Sequence, residues 1–385
     1  MAKKVGILTG GGDVPGLNTT IKTVTTILTD AGVEVYGLRR GWAAMLALGK
    51  GADADPAEWF IRLDKGNTRT IDRTGGTMLH SSRTNPMAVK QAEVPAHLQA
   101  GAPGPDPDGK VDLTGAAIQT IEDLGIDVLI AIGGDDTLSF ARRLHEEGAP
   151  VIGIPKTMDN DVAGTDFCIG FSSAVTRSIE MIERLRTPAG SHERFLVVEL
   201  FGRNSGETTL ISSMLAAVDR ALISEVPYDP ERVVELLCED REANPSNYAV
   251  LTISEGAHPK EGSIYETGES DAFGHRKLGG IGKQMSDYIQ ETTGEGTIYQ
   301  SLSYLMRGGP PDTLDRMVAM CYGRIAADLA LSSTSGLMTA LREGCYVTQP
   351  LTVVGTRHVN VDRYYDVEQY RPKMDSVLGL PMFLE

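Results

Sequence analysis

The chain has 385 residues, 41% of them hydrophobic, enough apolar material for a large core shared between two lobes. Lys and Arg number 36 against 52 Asp and Glu, a net charge of −16, so the broad basic footprint of a nucleic-acid or anionic-membrane binder is missing. No apolar run approaches the ~20 residues of a membrane helix, and the apolar stretch in MAKKVGILTGGG is too short for a signal peptide.

In chain order, VGILT (Val5–Thr9) predicts a strand that leads into GGGDVPGLN, and a helix is expected over Leu17–Asp30. VEVYGLRRG (Val33–Gly41) reads as the next strand. The segment EVPAHLQAGAPGPDPDGKVDL is dense in Pro, Gly and Asp and predicts an exposed inserted loop. Further apolar runs are VLIAIG (Val128–Gly133), VIGIP (Val151–Pro155), FLVVELFG (Phe195–Gly202) and AVLTISEG (Ala249–Gly256), with helical stretches at Ser172–Leu185 and Thr208–Asp219. Strands rich in Val and Ile that alternate with helices imply an α/β protein with largely parallel sheets. No fixed-period repeat is present, which excludes a solenoid. DVEQYRPKMDSVLGLPMFLE reads as a tail packed on the body. The four cysteines, Cys168, Cys238, Cys321 and Cys345, form no CxxC pair and read as reduced cytoplasmic thiols.

Three predicted strand ends carry polar chemistry. GGGDVPG opens a helix, where glycines admit a close backbone approach and a helix N-terminus offers N–H groups to an anion. It does not fit G-x-G-x-x-G, and no G-x-x-x-x-G-K-[ST] occurs, which argues against a dinucleotide-binding dehydrogenase and a P-loop NTPase. IGGDDT places two adjacent carboxylates, Asp135 and Asp136, at a second turn. PKTMDND (Pro155–Asp161) adds a lysine, a threonine and two more carboxylates at a third. Ligands of open α/β sheets bind beyond such carboxyl ends. An anionic substrate of so acidic a protein needs a local basic pocket or a metal there.

These motifs resemble the phosphofructokinase family. The resemblance runs along nearly the whole chain: TGGGDVPGLN, the SSR at Ser81–Arg83, GGDDT, PKTMDND, FGRNSG (Phe201–Gly206), ISEG (Ile253–Gly256) and YLMRGG (Tyr304–Gly309). It implies two Rossmann-like α/β lobes with the active site in the cleft between them. Residues 1–170 plus 307–345 would form the phosphoryl-donor lobe, 171–306 the sugar-phosphate lobe, and 346–385 the packed tail. The implied reaction is transfer of a phosphoryl group to the 1-hydroxyl of fructose 6-phosphate, with Mg²⁺ as cofactor.

Carried over position by position, Gly11 would meet the phosphoryl donor through its backbone and Arg83 would reach the donor's charge. Asp135 would hold Mg²⁺, a hard cation suited to carboxylate and phosphate oxygens. Asp159 would be the general base that takes the proton of the sugar hydroxyl, with Thr157 and Asp161 supporting the same loop. Arg203 would stabilise the transferring phosphoryl group. Phe201, Gly202 and Glu255 would contact the sugar, and Tyr304 and Arg307 would bind its phosphate. Arg194, which in the family comes from a neighbouring subunit, would join them, implying a homodimer or homotetramer.

The resemblance also bears on the donor. In ATP-using members the positions of Asp136 and Lys156 are typically glycine, so this pair resembles the pyrophosphate-dependent branch. A carboxylate at Asp136 would stand where the α-phosphate of ATP lies, and Lys156 would face the leaving group of pyrophosphate. A second metal ligand or a turn-stabilising residue are the other readings of Asp136. The neighbour-donated arginine expected near Ile298 is absent, with Arg276 or Lys277 as possible substitutes, and Tyr304 replaces the usual histidine. Sedoheptulose 7-phosphate is therefore a second acceptor to consider. An ATP-dependent or mixed-donor enzyme and a non-catalytic sugar-phosphate-binding regulator are the alternatives, and no nucleotide effector site is traceable.

Overall fold

The computed structural model describes residues 3–261, 266–267, 277–278 and 280–374. In the first lobe β1 (Lys4–Thr9) feeds α1 (Leu17–Asp30), and β2 (Glu34–Leu38) and β3 (Phe60–Leu63) follow. Next come β4 (Val128–Gly133), α2 (Asp135–Glu146) and β5 (Val151–Pro155). The long helix α3 (Phe171–Ser191) leads to the second lobe, with β6 (Phe195–Leu200), α4 (Glu207–Leu215), β7 (Arg220–Leu222), β8 (Val250–Ser254), α5 (Ile281–Thr293) and β9 (Thr297–Ser301). The chain then returns through α6 (Thr313–Leu331), β10 (Leu337–Arg342) and β11 (Cys345–Pro350).

Two sheets result. The first has the order β11-β10-β5-β4-β1-β2-β3, parallel except for the antiparallel edge pairs β10–β11 and β2–β3. The second has the order β9-β6-β8-β7 and is wholly parallel. Their central strands are apolar runs buried from end to end, as parallel sheets with both faces covered require. This is the expected fold: two α/β lobes, largely parallel sheets and a cleft between them.

The helix α6 ties the lobes together. It packs on α1 through small residues, and a Cβ at Gly323 would lie 3.1 Å from Cβ of Thr23. Its buried Asp315 accepts hydrogen bonds from the backbone N–H groups of Gly170 (2.8 Å) and Ser173 (2.7 Å). The residue preceding α3 is a glycine without a capping side chain, so α6 lends the carboxylate that satisfies that helix start.

Two expectations change. The stretch Glu93–Leu113 is an exposed excursion, but Lys110–Val111 pairs with Val89–Lys90 and a helical turn spans Ala96–Gln99. The chain past residue 345 does not begin as a packed tail. Cys345–Pro350 is the edge strand of the first sheet, joined to β10 by the two-residue turn Glu343–Gly344, both at positive φ, 51° and 79°. That is the turn whose twist suits a tight hairpin. Only beyond it does the chain cross to the second lobe, where Tyr364, Tyr365 and Tyr370 enter the core. All four cysteines are unpaired. Among the described residues no helix is long and apolar enough to cross a membrane.

Candidate active site

The carboxyl ends of β1, β4 and β5, neighbours in the first sheet, face those of β6, β8 and β9 across a cleft of about 1240 Å³. A single topological feature thus collects turns that are far apart in sequence. Gly11, Arg83, Asp135, Asp136, Lys156, Thr157, Asp159 and Asp161 line it from the first lobe. Phe201, Arg203, Glu255, Tyr304 and Arg307 line it from the other side. Two expected residues are elsewhere. Gly202 shapes the turn behind Phe201, at φ +140°, where a Cβ would lie 2.8 Å from the Ser205 carbonyl. Arg194 is exposed beside Gly296, ahead of the first residue of β6 and at the opposite end of that strand from the cleft. Within one chain it does not reach the site. Of the substitutes for the missing arginine, Arg276 lies outside the described residues, and Lys277 is described only in the short backbone pairing Lys277–Leu278 with Glu266–Thr267.

The first turn is built around a buried lysine. Lys156 Nζ donates to the Gly12 carbonyl at 2.7 Å. A Cβ on Gly11, at φ +76°, would approach that ammonium to 3.4 Å, and one on Gly12 would sit 3.0 Å from the Arg307 guanidinium. The glycines are there because two cations need the space. The Gly11 N–H donates to the Ser82 carbonyl (3.1 Å) and its own carbonyl accepts from the Ser81 hydroxyl. In this state the Gly11 backbone is therefore engaged by the protein, and its contribution to the cleft is the missing side chain. Burial, with the charge of Arg307, pushes the Lys156 ammonium down to about 8.

Asp135 and Asp136 occupy the first turn of α2, where the helix dipole favours negative charge. Asp135 uses both oxygens: Oδ1 accepts from the Asp136 N–H (2.9 Å) and Oδ2 from the Thr356 hydroxyl (2.8 Å). Asp159 is half-buried, yet its Oδ1 is fully buried and has no hydrogen-bond partner. Burial raises its carboxyl to about 6, against the lowering by Arg307 and by the N–H and charge of Arg203. Asp161 is held well above the usual carboxylate range by burial and by the charges of Asp159 and Asp135. On the far side Arg307 stacks on Phe201 (4.6 Å) and Tyr304 (5.5 Å), with its buried Nε unpartnered. An unpartnered carboxylate oxygen and an unpartnered guanidinium nitrogen in one cleft are the complement of a bound hydroxyl and a bound anion.

The donor set fits a magnesium ion of a particular kind. Among the described residues no three His, Cys, Asp or Glu groups converge as a metal site. One carboxylate at a phosphate-facing turn, with phosphates and water supplying the remaining oxygens, is how Mg²⁺ is usually held. Asp135 meets that description, and beyond burial the like charges of Asp159 and Asp135 help raise Asp161, a repulsion that a cation there would relieve.

Glu199, not singled out from the motifs, also lines the cleft. Its carboxylate accepts from the N–H groups of Gly280 (2.9 Å) and Gly282 (2.8 Å), closing the start of α5. A lone carboxylate inside the otherwise apolar strand FLVVEL was the signal that could have found it. Glu255 is raised to about 8 by burial and by Asp159. Its folded value lies far above the ~4.3 of an unfolded chain. Its stabilising contribution is therefore complete below the unfolded value and is lost as pH rises through about 8. Glu255→Gln cannot lose that proton. Its Tm, relative to wild type, is expected to rise by ~2 °C or more between pH 5.5 and 8.5. Melts showing a constant difference would rule this out.

The chain matches the family model described as Phosphofructokinase over residues 4–330. It is 39% identical to the pyrophosphate–fructose 6-phosphate 1-phosphotransferase of Amycolatopsis methanolica over 341 residues, 88% of this chain and 90% of the relative. It is 36% identical to ATP-dependent 6-phosphofructokinase 3 of Streptomyces coelicolor over 341 residues, 88% of this chain and 91% of the relative. In fold it is similar to the crystal structure of a pyrophosphate-dependent phosphofructokinase from Marinobacter aquaeolei, with a TM-score of 0.74, 18% identity, and coverage of 97% of this chain and 89% of that one.

Proposed function

Since the chain belongs to the phosphofructokinase family, we propose that it reversibly transfers a phosphoryl group from pyrophosphate to the 1-hydroxyl of fructose 6-phosphate. The products are fructose 1,6-bisphosphate and phosphate, a step of glycolysis and gluconeogenesis in the cytoplasm. The observation that carries this reading is the pairing of Asp159 Oδ1, buried and unpartnered, with the cations Lys156, Arg203 and Arg307 around one cleft. Asp159 takes the proton of the attacking hydroxyl. Arg203 faces the phosphoryl group in flight, where a fixed positive charge acts most strongly on the transition state. Lys156 holds the leaving phosphate. Asp135 would hold a Mg²⁺ ion, whose chemistry is to neutralise phosphate charge and align the donor. Phe201, Tyr304 and Arg307 receive the sugar phosphate, and Glu255 its hydroxyls.

The donor rests on Asp136 and Lys156. ATP as donor is the second reading, because relatives of similar identity carry ATP-dependent names. A non-catalytic sugar-phosphate-binding regulator has no use for a base positioned like Asp159. Initial rates with fructose 6-phosphate and Mg²⁺, pyrophosphate against ATP, decide among the three. Sedoheptulose 7-phosphate, assayed alongside, defines the acceptor.

Arg194 belongs to the same proposal. It is exposed and remote from its own cleft, so it serves a sugar site only from a neighbouring copy in a homodimer or homotetramer. Arg194→Ala is expected to raise KM for fructose 6-phosphate about tenfold, the scale of one charged hydrogen bond, and to leave KM for pyrophosphate nearly unchanged. Sedimentation showing a fully active monomer would sink this.

A further inference from the structure

The turn that presents Asp159 and Asp161 is held in an uncommon conformation. Asn160, between them, has φ +54° and is fully buried. Such a backbone is rare outside glycine and persists only where the surroundings over-determine it. Here they do. Asn160 Oδ1 accepts from the Cys168 N–H (2.7 Å), and Nδ2 donates to the Asp166 carbonyl (3.0 Å) and to Glu207 Oε1 (2.8 Å). Its own carbonyl accepts two bonds from one side chain, Nη2 (2.8 Å) and Nε (3.2 Å) of Arg357.

Arg357 belongs to the segment 355–359, which packs behind the Asp159–Asp161 turn. Its guanidinium also donates to the buried Glu207 Oε2 at 2.5 Å, and its N–H donates to the Asp161 carbonyl at 2.7 Å. Ala163 N–H donates to the Gly355 carbonyl at 2.8 Å, and Thr356 bridges Val162. Thr356 Oγ1 donates to Asp135 Oδ2. Further on, His358 Nδ1 lies 2.6 Å from the Asn204 carbonyl, and the Val359 N–H donates to Glu225 Oε1 at 2.8 Å. One short segment therefore touches the carboxylate turn of the first lobe, the Asp159–Asp161 loop and the second lobe. It lies beyond residues 4–330, the part matched by the family model.

We propose that residues 355–359 form a brace that fixes the direction of the Asp159 carboxylate, with Arg357 as its positioning residue for phosphoryl transfer. Arg357 touches no reacting atom. It holds the Asn160 carbonyl with a two-pronged fork, and the rotation of that peptide sets where the carboxylates on either side point. Lysine supplies the charge that Glu207 needs but not the fork. The inference rests on the reading of this cleft as the phosphoryl-transfer site.

The test measures kcat and both KM values of the full chain with fructose 6-phosphate and whichever donor the wild type uses. Arg357→Lys is expected to lose about tenfold in kcat and Arg357→Ala ~10²-fold, the scale of a displaced catalytic group. Both KM values stay within about threefold, since a misdirected base does not weaken binding. Arg357→Ala leaves the buried Glu207 without its ion-pair partner, so Thr356→Val provides a second arm at an exposed position. It should lower kcat several-fold, and Thr356→Ser, which keeps the hydroxyl, should restore it. Folded variants with wild-type kcat, or with raised KM at unchanged kcat, overturn the brace. A wild type inactive with both donors overturns instead the functional reading on which it stands.

Discussion

Asp159→Asn is expected to lower kcat by ~10²–10⁴-fold while both KM values stay within a few fold. The amide matches the carboxylate in size and keeps the bond from the Arg203 backbone on one oxygen, so the cleft is not reshaped. What it loses is the buried, unpartnered Oδ1 as a proton acceptor. The environment explains why this carboxylate suits the task. Burial lifts it to about 6, high enough to be a useful base, while Arg307 and Arg203 keep it ionised at neutral pH. Wild-type kcat/KM should therefore fall about tenfold per unit below pH 6. The asparagine variant, having no such proton to gain, should lack that acid limb. A kcat within a few fold of wild type, or an unchanged acid limb, would show that the base is another group. Glu255, raised to about 8 in the same cleft, would then be the next to test.

The strands Val128–Gly133 and Val151–Pro155, continuous apolar runs ending in glycine or proline, and the amphipathic helix Leu17–Asp30, flanked by Gly16 and Gly32, were legible and coincide with the observed elements. The helix Thr313–Leu331 was not, although it joins the lobes. Beside Asp315, Val318 and Tyr322, its buried residues are the small Ala319, Gly323, Ala326, Ala327 and Ala330, which allow a close approach to α1. Small side chains give little hydrophobic contrast. The hairpin at Glu343–Gly344 was missed because charged and small residues surround its turn, and only the paired positive φ values mark it. The cleft was more legible than the fold around it. Its side chains sit in short motifs directly after strands, and a parallel sheet brings those ends together. Thr356, Arg357 and Glu207 follow no such rule. The bonds Thr356–Asp135, Arg357–Asn160 and Arg357–Glu207 join positions 150 or more residues apart, and no local pattern announces a long-range hydrogen bond.

The second large effect is a change of phosphoryl donor. Asp136→Gly should let ATP bind and react measurably while pyrophosphate turnover falls. Asp136 lies in the first turn of α2 and lines the cleft beside Lys156. A carboxylate ~4 Å from an incoming phosphate opposes it by about 4 kcal/mol at an effective dielectric of 20, on the order of a thousandfold in affinity. Exclusion of this kind acts against the wrong partner and costs the right one little. Lys156→Gly should harm the pyrophosphate reaction most. It removes the ammonium that reaches the Gly12 carbonyl and would face the leaving phosphate. It also leaves that carbonyl unpaired, so some stability is lost as well. The double variant should shift the ratio of kcat/KM values toward ATP by ~10³-fold or more at low total activity. Repulsion can be removed by one substitution, whereas an adenosine pocket must be built from several. Parallel donor assays on wild type, both single variants and the double variant test this. A wild type that prefers ATP, or an Asp136→Gly variant as unresponsive to ATP as its parent, would mean that the second aspartate serves the turn or the metal and excludes nothing.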